Sequence, residues 1–121
     1  MPTLVDEDAA RELELYADNT ASLYNQKLAI IQNITRKLKN GTYDHSKAPK
    51  LWQYWIDAAA REYVREFGAP GDRIDSVFNA ATRRKVAKTF ADDEIKRIKS
   101  GEYEDNGVLG FGIMKRILGG P

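Results

Sequence analysis

Apolar side chains recur at helical spacing through several segments of the chain, and this spacing most constrains what it can fold into. In residues 21–39, one stripe comprises Tyr24, Leu28, Ile31, Thr35 and Leu38. A period near 3.6 is typical of an amphipathic helix, and no segment keeps the alternation that indicates a strand. Gly41, Gly68 and Gly101 follow such segments, where helices commonly stop. The pattern therefore predicts an all-α fold.

The same spacing locates the individual elements. The predicted helices are residues 9–18, residues 21–39, a third helix between Ser46 and Gly68, a short turn within residues 72–78, and residues 80–99. Thr20 either caps the second helix or lies inside one long helix that joins the first two segments. Ser46 is the expected cap of the third helix, because Pro49 is tolerated only near a first turn. We expect a compact bundle of four to five helices with an apolar C-terminal segment.

The length of 121 residues suits one domain. We divide it into a helical domain, residues 1–106, and a glycine-rich apolar C-terminal segment, residues 107–121. Apolar residues make up 42% and charged residues 31%, which is typical of a globular domain with a charged surface. Trp52 and Trp55 are expected to pack in the core, and a ligand slot is the alternative.

Several classes of protein are disfavoured by composition. Cysteine is absent, which excludes disulfide scaffolds and thiolate chemistry. The net charge of +1 does not by itself imply a nucleic acid or an acidic membrane as partner. Residues 1–8 are acidic and lack the pattern of a secretory signal, and no apolar run has the length of a membrane span. We expect a cytoplasmic protein.

Charge is distributed unevenly along the chain. Residues 1–20 are mainly acidic, whereas residues 21–50 carry Lys27, Arg36, Lys37, Lys39, Lys47 and Lys50 against Asp44. One interpretation is that the acidic first helix lies near basic helix ends of the same molecule. The other is that an acidic face and a basic face serve different partners.

Catalytic and metal-binding patterns are weak. His45 is the single histidine and has no neighbouring residues at metal-ligand spacing. Acid–base chemistry by His45 beside Asp44 stays an alternative, although a histidine near a first helical turn is ordinarily solvated. Asp92, Asp93 and Glu94 are expected to be a solvated surface cluster. We therefore predict no catalytic residues, no metal site and no cofactor, and a protein that is not an enzyme.

The C-terminal segment is the most unusual part of the sequence. Its apolar residues are too many to stay exposed without favouring association. They are predicted to bind a protein partner or a second copy, unless they dock on their own bundle; the residues are Val108, Leu109, Phe111, Ile113, Met114, Ile117 and Leu118. Binding to a membrane surface is the third alternative.

Nucleic-acid binding is the alternative to protein contact. Basic residues cluster on the predicted helix 80–99, where Arg83, Arg84, Lys85 and Lys88 provide contacts for phosphates. The acidic cluster that follows in the same helix argues against this assignment, and so does the lack of aromatic residues among these cations. Protein contact or self-assembly is therefore the preferred function.

A loose family resemblance covers about residues 10–103. It is carried by Gly41-Thr42-Tyr43-Asp44, Lys47-Ala48, Leu51-Trp52 with Tyr54, Ala59-Ala60, and Tyr63 with Glu66-Phe67. With these motifs the chain resembles a group of short, uncharacterised open reading frames of bacteriophages and related elements. Pro49 and the glycine-rich tail depart from that group. The resemblance implies a small phage accessory protein in the host cytoplasm, and it brings no activity or site residues.

Overall fold

Helices follow one another throughout residues 4–105, the part of the chain that the computed structural model describes. They are α1 (Glu7–Asn19), α2 (Ala21–Lys39), α3 (Ala48–Phe67), α4 (Ile74–Val77), α5 (Ala80–Lys99) and α6 (Glu102–Asp105). No strand occurs between residues 4 and 105. The predicted all-α bundle is confirmed, with four long helices and two of a single turn. The predicted domain boundary after residue 106 lies outside the described residues.

The first two helices are separate because the chain bends at Thr20. Thr20 has an extended backbone, with φ −96° and ψ 119°, and its hydroxyl donates to the carbonyl of Tyr16 at 2.7 Å. It therefore makes no side-chain cap for α2. At the start of α1, Asp6 Oδ1 accepts the backbone N–H of Ala9 at 3.1 Å. A carboxylate there is favourable because it satisfies a free N–H and complements the helix dipole.

The expectation that Ser46 caps α3 is wrong. The helix begins after Lys47, whose side chain makes no capping bond. Asp44 Oδ1 instead accepts from both the backbone N–H and the hydroxyl of Ser46, at 2.9 and 2.7 Å. The serine hydroxyl is thus used inside the preceding turn. Pro49 lies in the first turn of α3, as expected.

Two long helices end in the same way. Gly41 follows α2 with φ +75°, and Gly101 follows α5 with φ +79°. These are left-handed conformations that glycine adopts without a steric penalty, and they let the chain reverse directly after each helix. The predicted glycine stops at these two positions are confirmed.

The centre of the bundle is the contact between α3 and α5. Trp52 is fully buried, and its ring stacks on Phe90 with centroids 5.9 Å apart. Trp55 meets the same Phe90 ring edge to face at 4.9 Å, and its indole N–H donates to the carbonyl of Leu23 in α2 at 2.8 Å. Ala59 and Ala60 on the same helix are fully buried. The prediction that both tryptophans pack in the core is confirmed.

Of the helices packed against α3, α5 and α2 run antiparallel to it. Near the end of α3, Tyr63 meets Phe78 just before α5 begins, whereas Trp52 near its start meets Phe90 further along α5. Ile34 near the end of α2 lies beside Ala48 at the start of α3, whereas Leu23 near the start of α2 contacts Trp55 further along α3. The helix α2 therefore also runs opposite to α3. None of the helices within residues 4–105 is long and apolar enough to cross a membrane.

The packing of α1 gives a test of this core. Leu13 is 0% exposed, whereas Leu15 on the same helix is 54% exposed. We expect Leu13→Ala to lower the free energy of unfolding by about 2–5 kcal/mol, because it leaves a cavity in a filled core. Leu15→Ala is the matched control and should change it by less than about 0.5 kcal/mol. Urea unfolding followed by circular dichroism measures both, and equal losses would contradict this placement of α1.

Candidate functional site

The C-terminal residues predicted to bind a partner lie outside the described residues. They are Val108, Leu109, Phe111, Ile113, Met114, Ile117 and Leu118. Their assignment stays a prediction. The candidate site described for this chain therefore consists of residues between 4 and 105.

The cations predicted for nucleic acid are divided by the fold. Arg83 is 11% exposed at its side chain and forms ion pairs with Asp57 at 3.2 Å and Asp75 at 2.7 Å. Lys85 forms an ion pair with Glu7. Arg84 and Lys88 are exposed. Two of the four predicted residues thus hold the bundle together, which weakens this helix face as a phosphate-binding surface.

A groove runs between the outer sides of α2 and α3. It has two compartments, with cavities of about 360 and 330 Å³, that share Leu51 and Tyr54. We call it the α2–α3 groove, and it is lined by Gln26, Ile30, Ile34, Lys37, Thr42, Tyr43, Asp44, Lys47, Ala48, Lys50, Leu51, Tyr54 and Trp55. The groove forms because α3 directs Trp52 and Trp55 into the bundle. Leu51 and Tyr54 then remain at the surface beside α2.

The most exposed ring on this surface is Tyr54, which is 78% exposed. Leu51 lies one turn before it and is only half-buried. A large aromatic residue and an aliphatic residue left uncovered side by side are typical of a surface that contacts another molecule. Tyr54 lies two residues after the buried Trp52, which is about 200° of helical rotation, so helical spacing places it away from the core.

The rim of one compartment is basic. Lys37 comes from α2, Lys47 from the turn before α3, and Lys50 from the first turn of α3. Within residues 4–105 these lysines take part in no ion pair. Asp44 is the acid that lines the same compartment, and hydrogen bonds from Ser46, followed by the charge of Lys47, lower its pKa. Three cations against one carboxylate leave the rim positively charged.

His45 links the groove wall to α5. The Tyr43 hydroxyl lies 2.8 Å from His45 Nδ1, and His45 Nε2 lies 3.3 Å from Asp92 Oδ1. Burial, followed by the charges of Asp44 and Asp92, raises the Tyr43 pKa. A raised pKa holds the hydroxyl protonated, which is the wrong direction for a nucleophile. These contacts join the turn before α3 to α5 at the edge of the groove.

The expectation that Glu94 is solvated is wrong. Its side chain is 2% exposed and lies 3.4 Å from Lys27 Nζ, which is itself 4% exposed and bonds Asp18 at 2.9 Å. Arg97 and the Tyr103 hydroxyl complete the contacts of the Glu94 carboxylate. Burial, followed by the hydrogen bond to Glu94, raises the Tyr103 pKa. This buried cluster connects α1, α2, α5 and α6.

Sequence reasoning missed Lys27, although a signal was present. Lys27 occupies the helical position between Leu23 and Ile31, and all three side chains are buried on one face of α2. A charged residue at an apolar position of a stripe indicates a buried pair, since an unpaired buried charge is strongly unfavourable. Within residues 4–105, no group of three or more candidate side chains is placed to hold a metal ion.

Lys27 and Glu94 can be tested as a pair. We expect Lys27→Met to lower the free energy of unfolding by about 3–5 kcal/mol, because it removes a partner from a buried charge. Adding Glu94→Gln should restore at least half of that loss, since the amide still accepts from Tyr103 and carries no charge. Lys96→Met is the matched control at an exposed lysine of α5 and should have little effect. Independent, additive losses for the two substitutions would contradict the pairing.

Because of Tyr16, the free energy of unfolding is expected to fall at alkaline pH. Burial, followed by the hydrogen bond to Glu66 and the charge of that carboxylate, raises the Tyr16 pKa to about 12. The unfolded chain binds this proton less tightly, with a pKa near 10, so the stabilisation is complete below about pH 10 and is lost as the pH rises toward 12. Urea unfolding at both ends of this range should show a smaller fall for Tyr16→Phe than for the parent chain. An equal fall in the free energy of unfolding of both chains would exclude Tyr16 as a source of the pH dependence.

Comparison with known proteins gives no family for the chain. No protein-family model, no curated protein and no solved structure matches it. The resemblance to bacteriophage reading frames therefore stays a prediction.

Proposed function

We propose that the chain is a non-enzymatic binding protein whose α2–α3 groove takes an acidic, apolar segment of another protein. The observation that carries the proposal is an exposed Tyr54 beside Leu51, bordered by Lys37, Lys47 and Lys50. In keeping with the resemblance to bacteriophage reading frames, we place this role in the host cytoplasm, as an accessory factor.

The form of the groove favours a protein segment over a small metabolite. Its two compartments adjoin at Leu51 and Tyr54 and are open to solvent, and one of them is lined mainly by Ile30, Leu51, Tyr54 and Trp55. An apolar strip with charged groups at its edge is the usual anatomy of a protein interface. An amphipathic helix can place apolar side chains along such a strip and its acidic residues against the lysines.

The C-terminal segment is proposed as a second contact element. Residues 107–121 are apolar apart from Lys115 and Arg116. These cations have the same sign as the groove rim, so the segment does not complement the groove. We therefore assign it to a different surface of the partner.

Single-stranded nucleic acid is the second candidate ligand. It is favoured by one observation, the exposed Tyr54 ring among Lys47 and Lys50, because bases stack on aromatic side chains while lysines contact phosphates. The groove lysines are better placed for this role than Arg83 and Lys85, which are held in ion pairs. The mainly apolar second compartment favours the protein segment.

The groove can be tested with defined probes. Two fluorescent helical peptides share one stripe of Leu and Phe and carry either Glu or Lys elsewhere, and an oligothymidylate serves as the third probe. We expect fluorescence anisotropy to show binding of the acidic peptide to the full chain. Lys47→Glu/Lys50→Glu and Tyr54→Ala should each weaken it by about ten-fold or more, since one reverses the rim charge and the other removes the exposed ring.

Arg84→Glu/Lys88→Glu makes the same charge change on α5 and should leave binding unchanged. Equal binding of the two peptides, or binding that the groove variants do not alter, would overturn the proposal. Preference for the oligothymidylate would transfer the function to nucleic acid. Binding that is lost only when residues 107–121 are deleted would assign the contact to that segment.

A further inference from the structure

The far end of α3 carries a second exposed surface with the opposite charge. Phe67 is 61% exposed, and its ring lies 5.1 Å from Tyr63 and 6.0 Å from Tyr16. Glu66 accepts the Tyr16 hydroxyl at 2.8 Å, and Glu12 accepts the Tyr63 hydroxyl at 3.4 Å. We call these five residues the acidic end.

Among the described residues, the two carboxylates of the acidic end are not held in ion pairs. Arg65 is the basic residue beside Glu66 on α3, and it pairs with Glu62 at 2.9 Å. Within residues 4–105, Glu12 and Glu66 take part in no ion pair, and both are exposed. Burial, followed by the carboxylates of Glu66 and Glu12, raises the pKa values of Tyr16 and Tyr63.

The acidic end has the chemistry that the α2–α3 groove requires. It presents an exposed ring and two exposed carboxylates, and the groove presents an apolar strip beside three lysines that form no ion pair among the described residues. Leu51 and Phe67 are sixteen residues apart on one straight helix, which separates them by about 24 Å at 1.5 Å per residue. One molecule therefore cannot place its own acidic end in its own groove.

We propose, on the basis of the function proposed above, that the groove of one copy binds the acidic end of a second copy. The contact is heterologous, because it joins two different surfaces of the chain. The resulting pair still presents a free acidic end on one copy and a free groove on the other. Such contacts give open chains, or rings if the rotation closes.

The test uses two variants of the full chain, each lacking one surface. Lys47→Glu/Lys50→Glu blocks the groove, and Glu66→Gln/Phe67→Ser blocks the acidic end. These side chains are exposed or lie at the surface of the bundle, and thermal unfolding checks that both variants fold. Sedimentation velocity over a wide concentration range gives the size of each species.

The parent chain is expected to grow in size with concentration and to dissociate at high salt, since the contact joins exposed charges. Each variant alone should stay monomeric. An equal mixture should form a dimer and nothing larger, because only one intact groove can meet one intact acidic end. Arg84→Glu/Lys88→Glu is the matched control and should assemble like the parent chain.

The outcomes separate this inference from the proposed function. A monomeric parent chain that still binds the acidic peptide overturns self-association and leaves the groove as a binding site. A variant that assembles alone, or a mixture that stays monomeric, overturns the head-to-tail contact. Failure of both self-association and peptide binding overturns both proposals.

Discussion

The contact between α3 and α5 determines which surfaces the molecule offers to others. Trp52, Trp55 and Phe90 pack as one aromatic group, and small residues such as Ala59 and Ala87 let the two helices approach closely. This packing fixes the rotation of α3 about its own axis. Because one side of α3 is committed to the core, Leu51 and Tyr54 have to face outward beside α2. The groove is thus a consequence of how the core is filled.

The buried charges restrict how the helices can be placed against one another in a core that is otherwise apolar. Lys27 from α2 and Glu94 from α5 meet where α1 and α6 also arrive, through Asp18 and Tyr103. Removing two charges from water costs several kcal/mol, roughly what their attraction returns, so such a pair adds little net stability. It does penalise any arrangement in which the helices slide, because each charge would then be buried without its partner. The Lys27–Glu94 pair therefore favours one register of α2 against α5.

Helical spacing and glycine positions were sufficient to predict the four long helices, whereas α6 and the contacts between distant residues were not predicted. The helix boundaries near Lys39 and Lys99 follow from local signals, namely the end of a stripe and a glycine after it. The Lys27–Glu94 pair joins two helices that are far apart in sequence, so neither residue alone reveals its partner. The Ser46 cap failed for a local reason, because Asp44 competes for the same serine. Predicting the groove requires the rotation of α2 relative to α3. The apolar stripe of a single helix does not give this rotation.

The uneven charge of the sequence is only partly explained by contacts within the molecule. Asp18 with Lys27 and Glu7 with Lys85 pair acidic α1 with basic helices, as the intramolecular interpretation expects. Lys47 and Lys50 lie at one end of α3 and Glu66 at the other, where the helix itself keeps them apart. Each group leaves an exposed ring uncovered beside it, Tyr54 in one case and Phe67 in the other. Because the helix keeps the two complementary surfaces apart, they can meet only in a contact between two molecules. This is the physical argument for the proposed assembly.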